Sequence, residues 1–399
     1  MLKKINWPAL LVIVFYPLLL VFLGINYYFK NNIGWFEVVL FIIAYYGANI
    51  SVGIGLHRLW SHHTYKTNKF VEFLLMMISG GTLQGPVLAW ASDHNKHHTY
   101  TDKELDPHSP AKFDNRLKGF LWSHLGWMLV GEGSYKSIDK VTMVKLGRNK
   151  MLVWQLKYYW QVAVFMNLIM PVVVGLLIGK SWHAAYGSFL FIGLGRALQQ
   201  QMTFCVNSIC HFLGSRKYYK GTAGDIWWLA IFLLGENYHN FHHAFPSDYR
   251  NGAKWYHFDV HKWIIYLMSK IGLAWDLEWT SEVRVQAKLN EMIKLIEEKR
   301  QAKLEFMQIK FEQLSKHFHD KIISLENCSH DFKLKLNKSL VDTQQSLKIL
   351  KEYLYNSYQE RDNLSEKWLK IASAKLKYTE KRLIKLYKNL DKLTEGAFA

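Results

Sequence analysis

Gly55–Tyr65 reads GLHRLWSHHTY and stands at the end of an apolar run that starts at Trp35. A helix rises about 1.5 Å per residue, so Trp35–Leu56 is long enough to cross the roughly 30 Å of bilayer hydrocarbon. Histidine and arginine are costly in lipid, so His57, Arg58, His62 and His63 mark where that helix leaves it. Three more stretches repeat the theme: DHNKHHTY at Asp93–Tyr100, NSICHFLG at Asn207–Gly214 and GENYHNFHHAFP at Gly235–Pro246. One arrangement must account for all four.

Three other runs are apolar enough to span: Trp7–Phe29, Tyr158–Ile178 and Ala185–Val206. The first follows Lys3 and Lys4. It outlasts a signal-peptide core and ends without an A-x-A-like site, so a retained helix is expected. Phe70–Trp90 carries Glu72, Gln84, Pro86 and a Gly80-Gly81 break. Were it a span, the histidines at 57–63 and 94–98 would lie on opposite faces. As an interfacial or re-entrant segment, it leaves two hairpins and puts every cluster on one face. The expected fold is therefore an all-α membrane protein of four transmembrane helices with a histidine-rich cap. That face gathers Lys66, Lys69, Lys96, Lys112, Arg116 and Lys118, against Lys30 and Lys180 in the opposite loops. The positive-inside rule makes it cytoplasmic, and the chain a multi-pass integral membrane protein surrounded by lipid.

The 399 residues are 50% hydrophobic and 15% aromatic, yet mean hydropathy is only -0.07. Two unlike parts are averaged. Residues 1–280 hold all seven prolines, whereas Ser281–Glu395 contains neither proline nor glycine. The expected division is a membrane domain, 1–280, and a charged helical extension, 281–399. Leu304, Met307, Phe311, Leu314 and Phe318 follow 3-4-3-4 spacing, a short coiled-coil seam suited to self-association. The net charge of +18 is not a nucleic-acid signature, because tail lysines alternate with glutamates and no aromatic-basic motif occurs. Three cysteines form no C-x-x-C pair or disulfide framework.

Nine of the 18 histidines fall in spaced sets: His57 with His62; His94, His97 and His98; His211; and His239, His242 and His243. Each H-x-x-H-H set is expected to aim its imidazoles at one place. Neutral imidazole ligates iron, copper, nickel or zinc. Nine exceed one ion's needs and suit two. Structural zinc closes with four ligands, commonly including cysteine, so a redox-active pair, most naturally iron, is expected.

HRLWSHHTYK, HNKHH, NSICH and HNFHH, in this order around four spans, resemble the membrane fatty acyl desaturases, specifically the stearoyl-CoA Δ9 family. The resemblance covers about residues 5–280, including DPH at 106–108, SHLGW at 123–127 and GLAWD at 272–276. It implies two ferrous ions held by those nine histidines, with Asn207 acting through water. No catalytic side chain beyond the ligands is implied, and Tyr45 and Asn49 would close the far end of the acyl tunnel. The implied reaction inserts a cis Δ9 double bond into a saturated acyl chain, consuming O2. Asp93, Asp106 and Glu236 are expected to orient ligand rings, with Asp102 a weaker candidate. Trp90, Trp127 and Phe204 are expected to line the tunnel.

No haem, flavin or iron–sulfur motif appears in the sequence, so electrons are expected from a separate protein such as a ferredoxin or cytochrome b5. The family's nucleotide contacts align with Gly85, Ser92, Gly131 and Glu132, which leaves CoA or a lipid as the acyl carrier. Two rivals stand beside this reading: a related di-iron hydroxylase, and a non-catalytic membrane scaffold with a structural metal.

Overall fold

A computed structural model describes residues 5–131 and 138–324, plus single positions 330, 334, 338, 341, 342, 345, 348 and 381. The chain divides into two compact units, Met1–Met292 and Ile293–Ala399. Among the described residues, three helices are long and apolar enough to cross a membrane: α1 (Trp7–Lys30), α2 (Trp35–Ser61) and α5 (Tyr159–Ile178). The expected fourth span is a helix too, α6 (Trp182–Asn207), but it does not belong to that apolar set. Arg196, Gln199 and Gln200 lower its hydropathy, and all three are buried inside the protein.

Between the hairpins run α3 (Lys69–Gly80) and α4 (Val87–Tyr100). At 12 residues, α3 is about 18 Å long, too short to cross. The turn after it brings α4 back beside α2. The other end of the first unit carries α7 (His239–Ala244) and α8 (Val260–Lys270). A two-stranded antiparallel ribbon, β1 (Lys66–Thr67) and β2 (Ala274–Trp275), ties the exit of α2 to the region after α8. Beyond it, α9 (Glu282–Ser324) runs unbroken for 43 residues, as expected where neither glycine nor proline interrupts. The side chains of the seam Leu304–Phe318 lie outside the described residues.

The two ends of the helices differ in chemistry. Asn6, just before α1, bonds through its amide side chain to the Met128 carbonyl and through its backbone to Leu129, both at 3.0 Å. At the hairpin-loop end, Tyr27 donates to Glu37 (3.1 Å) and meets His183 Nε2 at 3.2 Å. His183 thus helps tie the two hairpin loops together.

Helices α2 and α6 approach closely at Gly195. A Cβ there would stand 2.5 Å from the Phe41 carbonyl oxygen and 3.1 Å from the Tyr45 nitrogen. Small residues at such crossings let backbones meet. Gly195→Ala is expected to cost roughly 1–3 kcal/mol through overpacking. Thermal unfolding in detergent tests this, with Gly47→Ala as control, since no atom lies within 4 Å of a Cβ at Gly47. An equal midpoint for the two variants would show that the crossing is looser than described.

Candidate metal centre

Residues Ser51–Ser61 of α2 form a wide, π-type turn, and all of them are buried. Its closing bond runs from the His62 amide to the His57 carbonyl, 3.1 Å, one residue wider than an α-helical bond. That widening sets residues five apart on one face, with ring centroids 4.9 Å apart. Such insertions concentrate at functional sites.

Two clusters result. His57, His62, His94, His98 and His242 bring one nitrogen each within 4.8 Å of the others, and so do His97, His211, His239 and His243. The expectation that each H-x-x-H-H set converges on one place is corrected. His94 and His98 serve the first cluster and His97 the second, while His239 and His243 serve the second and His242 the first. At about 100° per residue, positions i and i+4 nearly align while i+3 diverges, so each helix feeds both clusters.

Closest Nε2 pairs are His62–His94 at 2.7 Å, His98–His242 at 2.9 Å, His57–His242, His211–His239 and His239–His243 at 3.0 Å, and His97–His243 at 3.2 Å. With metal–nitrogen bonds of about 2.0–2.1 Å, ligands at right angles sit about 3 Å apart. The donor set therefore fits a pair of ions. Burial, reinforced by neighbouring imidazoles, holds His62, His94, His97, His98, His211, His242 and His243 well below the usual histidine range. His239 is brought down to about 3, again chiefly by burial. Neutral rings keep the lone pairs that a metal needs.

The outward ring nitrogens are held by a second layer. Glu236 lies 2.7 Å from His57 Nδ1, accepts from His261 Nδ1 (3.0 Å) and pairs with Arg58 at 3.2 Å. Burial alone would raise its carboxyl, but His57 and Arg58 hold it well below the usual range. Asp106 meets His97 Nδ1 at 2.9 Å, and burial raises its carboxyl to about 7. Asp93 faces the adjoining cavity, with Lys96 Nζ at 3.9 Å.

Sequence reasoning missed Thr222, whose hydroxyl sits 2.7 Å from His211 Nδ1 and donates to Asp102. No signal marks a lone threonine. His261, outside the spaced histidine sets, fills the space where Gly53 would carry a Cβ, 2.0 Å from its Cε1. Such outer contacts are worth about 10–100-fold in metal affinity or activity. Thr222→Val is expected to lower metal affinity within that range, read by chelator competition; unchanged affinity would remove the Asp102–Thr222–His211 chain from the site.

Against the clusters lies a cavity of about 700 Å³, within the usual range for a bound organic ligand. Trp90, Trp127, Phe204 and Asn207 line it, with His94 and His108 from the metal side. Trp90 stacks on His94 with centroids 4.9 Å apart. Tyr45 and Asn49 are not in its lining. Both are buried and donate to the Phe232 carbonyl, at 2.8 and 2.7 Å. A polar pair facing the protein interior satisfies that carbonyl instead of meeting hydrocarbon. Of the positions aligned with the family's nucleotide contacts, Ser92 is buried under the Asp139 amide (2.9 Å). Gly85 and Gly131 have positive φ, and Glu132 lies outside the described residues.

Long apolar helices, with two histidine clusters able to hold metal ions beside a ligand-sized cavity, define a membrane-helix protein built for metal chemistry. The family model for fatty acid desaturases matches residues 33–268. The chain belongs to that family. It is 31% identical over 304 residues to a probable acyl-CoA desaturase of Schizosaccharomyces pombe, covering 76% of this chain and 60% of that protein. It is 34% identical over 273 residues to acyl-CoA desaturase 1 of Saccharomyces cerevisiae, covering 67% and 51%. It is 33% identical over 264 residues to Delta-9 acyl-lipid desaturase 2 of Arabidopsis thaliana, covering 65% and 78%. The chain thus spans a little over half the length of the two yeast relatives.

Proposed function

We propose that the chain is a di-iron, O2-dependent fatty acyl desaturase that inserts a cis Δ9 double bond into a saturated acyl chain. One observation carries this reading: His94 belongs both to the five-histidine cluster and to the wall of the cavity. A chain methylene pair lying there would be next to the metal. Relatives named for both acyl-CoA and acyl-lipid substrates support the acyl chain as substrate.

Two irons would be held by His57, His62, His94, His98 and His242, and by His97, His211, His239 and His243, with Asn207 acting through water. When bound, iron would activate O2, the oxidant needed to take hydrogen from an unactivated methylene. The chain's own residues do the rest. Glu236, Asp106 and the Asp102–Thr222 pair fix the ring orientations. Trp90 and Phe204 give the cavity an apolar wall that excludes water. Lys96, Lys112 and Lys157, also on the cavity wall, suit the phosphate shared by coenzyme A and phospholipids.

Electrons would come from a separate protein. Four spans would place the clusters on the cytoplasmic face, with α6 shielding its polar side inside the bundle. The segment from Ser281 onward is read as a helical extension available for self-association.

The test is gas chromatography–mass spectrometry of fatty acids from a host lacking its own desaturase, expressing the parent or His94→Ala. A new monounsaturated acid from the parent alone is expected, and its derivative fixes the bond position. A hydroxylated acid would instead establish the hydroxylase reading. Full product from His94→Ala would overturn the ligand assignment.

A further inference from the structure

Beneath the large cavity lies a second, very small void of about 10 Å³, lined by Tyr16, Asn167, Arg196 and Gln200 among others. Val12 and Leu83 line both spaces. The stacking is consistent on four segments. Ala9, Val12 and Ile13 of α1 line the cavity, and Tyr16 and Pro17 line the void. On α6, Thr203, Phe204 and Asn207 line the cavity and Arg196 and Gln200 the void; on α5, Tyr159 and Trp160 give way to Asn167. In the α3–α4 turn, Gln84 gives way to Thr82 and Gly81. Each segment moves away from the histidines as it passes from one space to the other. The wall formed by Val12 and Leu83 is therefore the floor of the cavity.

That floor is backed by charge. Arg196 is 7% exposed. Among the described residues it forms no ion pair and hydrogen-bonds only to the Met166 carbonyl. Gln200 donates to the Thr82 and Leu83 carbonyls (3.1 and 3.2 Å), and Asn167 to the Ala163 carbonyl (3.0 Å). Those bonds fix the amide orientations and turn the oxygens the other way. Tyr16 Oη, Asn167 Oδ1 and Gln200 Oε1 are buried without a partner. Such a site wants an occupant that both donates to amide oxygens and accepts from a guanidinium. An anion cannot donate and a cation would face the guanidinium, whereas water does both, and about 10–15 Å³ is what one water needs.

Leu83 holds the wall in a left-handed conformation, φ 57°, which a leucine adopts only when its surroundings enforce it. Here Gln200 grips its carbonyl.

We infer that Arg196, Tyr16, Asn167 and Gln200 hold one water under Leu83, and that this polar floor sets the longest acyl chain the cavity accepts. The inference rests on the cavity being the acyl site. A longer chain must displace that water and leave the guanidinium facing hydrocarbon, which is costly.

The test measures binding, not turnover, so absence of a double-bond product leaves it intact. Quenching of the tryptophans at the cavity is titrated with saturated fatty acids of increasing length, using purified full-length protein. Parent affinity is expected to break at one chain length. Leu83→Gly, which removes the wall and suits the positive φ, is expected to keep that break. Leu83→Gly with Arg196→Met is expected to bind the next longer acids about tenfold more tightly. Leu83→Gly with Arg196→Lys is expected to behave like the single variant. If Leu83→Gly alone moved the break as far as the Met double variant, the floor would be purely steric. Loss of all binding by the Met double variant, with the Lys variant still binding, would also overturn the proposal. If the parent bound no fatty acid, the acyl-site reading itself would fail.

Discussion

His242→Ala is expected to abolish the unsaturated product and to strip metal from the five-histidine cluster while the four-histidine cluster still binds. His242 has close partners on two different helices. Its Nε2 lies 3.0 Å from that of His57 and 2.9 Å from that of His98, so it joins the ligand from α2 to one from α4. Its removal leaves four imidazoles around a cage that has lost its bridging corner. His62, His94 and His98 cannot compensate by taking up protons, since burial and their neighbours already oppose charging. Metal analysis of the purified variant separates this from misfolding. About half the parent's metal is expected, because the remaining four histidines form a complete donor set of their own. Full metal content with normal product would dismantle the division into two clusters, while loss of all metal would show that the two sites fill only together.

That division is what the sequence concealed. The nine histidines and the long apolar helices were legible because each is a statement about residue type against a lipid or water background. The wide turn at Ser51–Ser61 was not. Its bond pattern depends on packing from α4 and α8, and five-residue spacing on an ordinary α-helix would have turned His62 away from His57. The splitting of each H-x-x-H-H set followed from the same helical angle, once two targets stood side by side. Glu236 was legible through its proximity to His239, yet the rings it touches are His57, at 2.7 Å, and His261, at 3.0 Å. Sequence distance pointed to the right residue for the wrong neighbour. Tyr45 and Asn49 were placed by resemblance alone, and the carbonyl that holds them belongs to a segment 183 residues or more away. Arg196 was overlooked because a single arginine in an apolar run reads as an interruption of a span instead of a buried group with its own pocket.

Arg58→Met is expected to be the most destabilising single substitution outside the histidines, by about 3–5 kcal/mol, because it leaves buried carboxylates uncompensated. Arg58 is 1% exposed. One terminal nitrogen contacts Glu236 at 3.2 Å and Asp259 at 3.0 Å, and the other donates to the Tyr249 carbonyl at 2.8 Å. Asp259 in turn accepts backbone bonds from Asn251, Gly252 and Lys262. One guanidinium therefore neutralises the acid that steers His57 and the acid that shapes the loop before α8. Thermal unfolding in detergent reads the loss. The discriminating experiment adds Glu236→Gln and Asp259→Asn to Arg58→Met. Removing all three charges together is expected to recover much of the lost stability, since neutral amides no longer need the cation. Metal affinity is expected to stay low, by about 10–100-fold, because a neutral amide is a poorer acceptor for the His57 ring than a carboxylate. Recovery of both would make the charges mere scaffolding. Recovery of stability alone would show that the ion network was kept for the metal it orients, at an energetic cost that an apolar interior would have avoided.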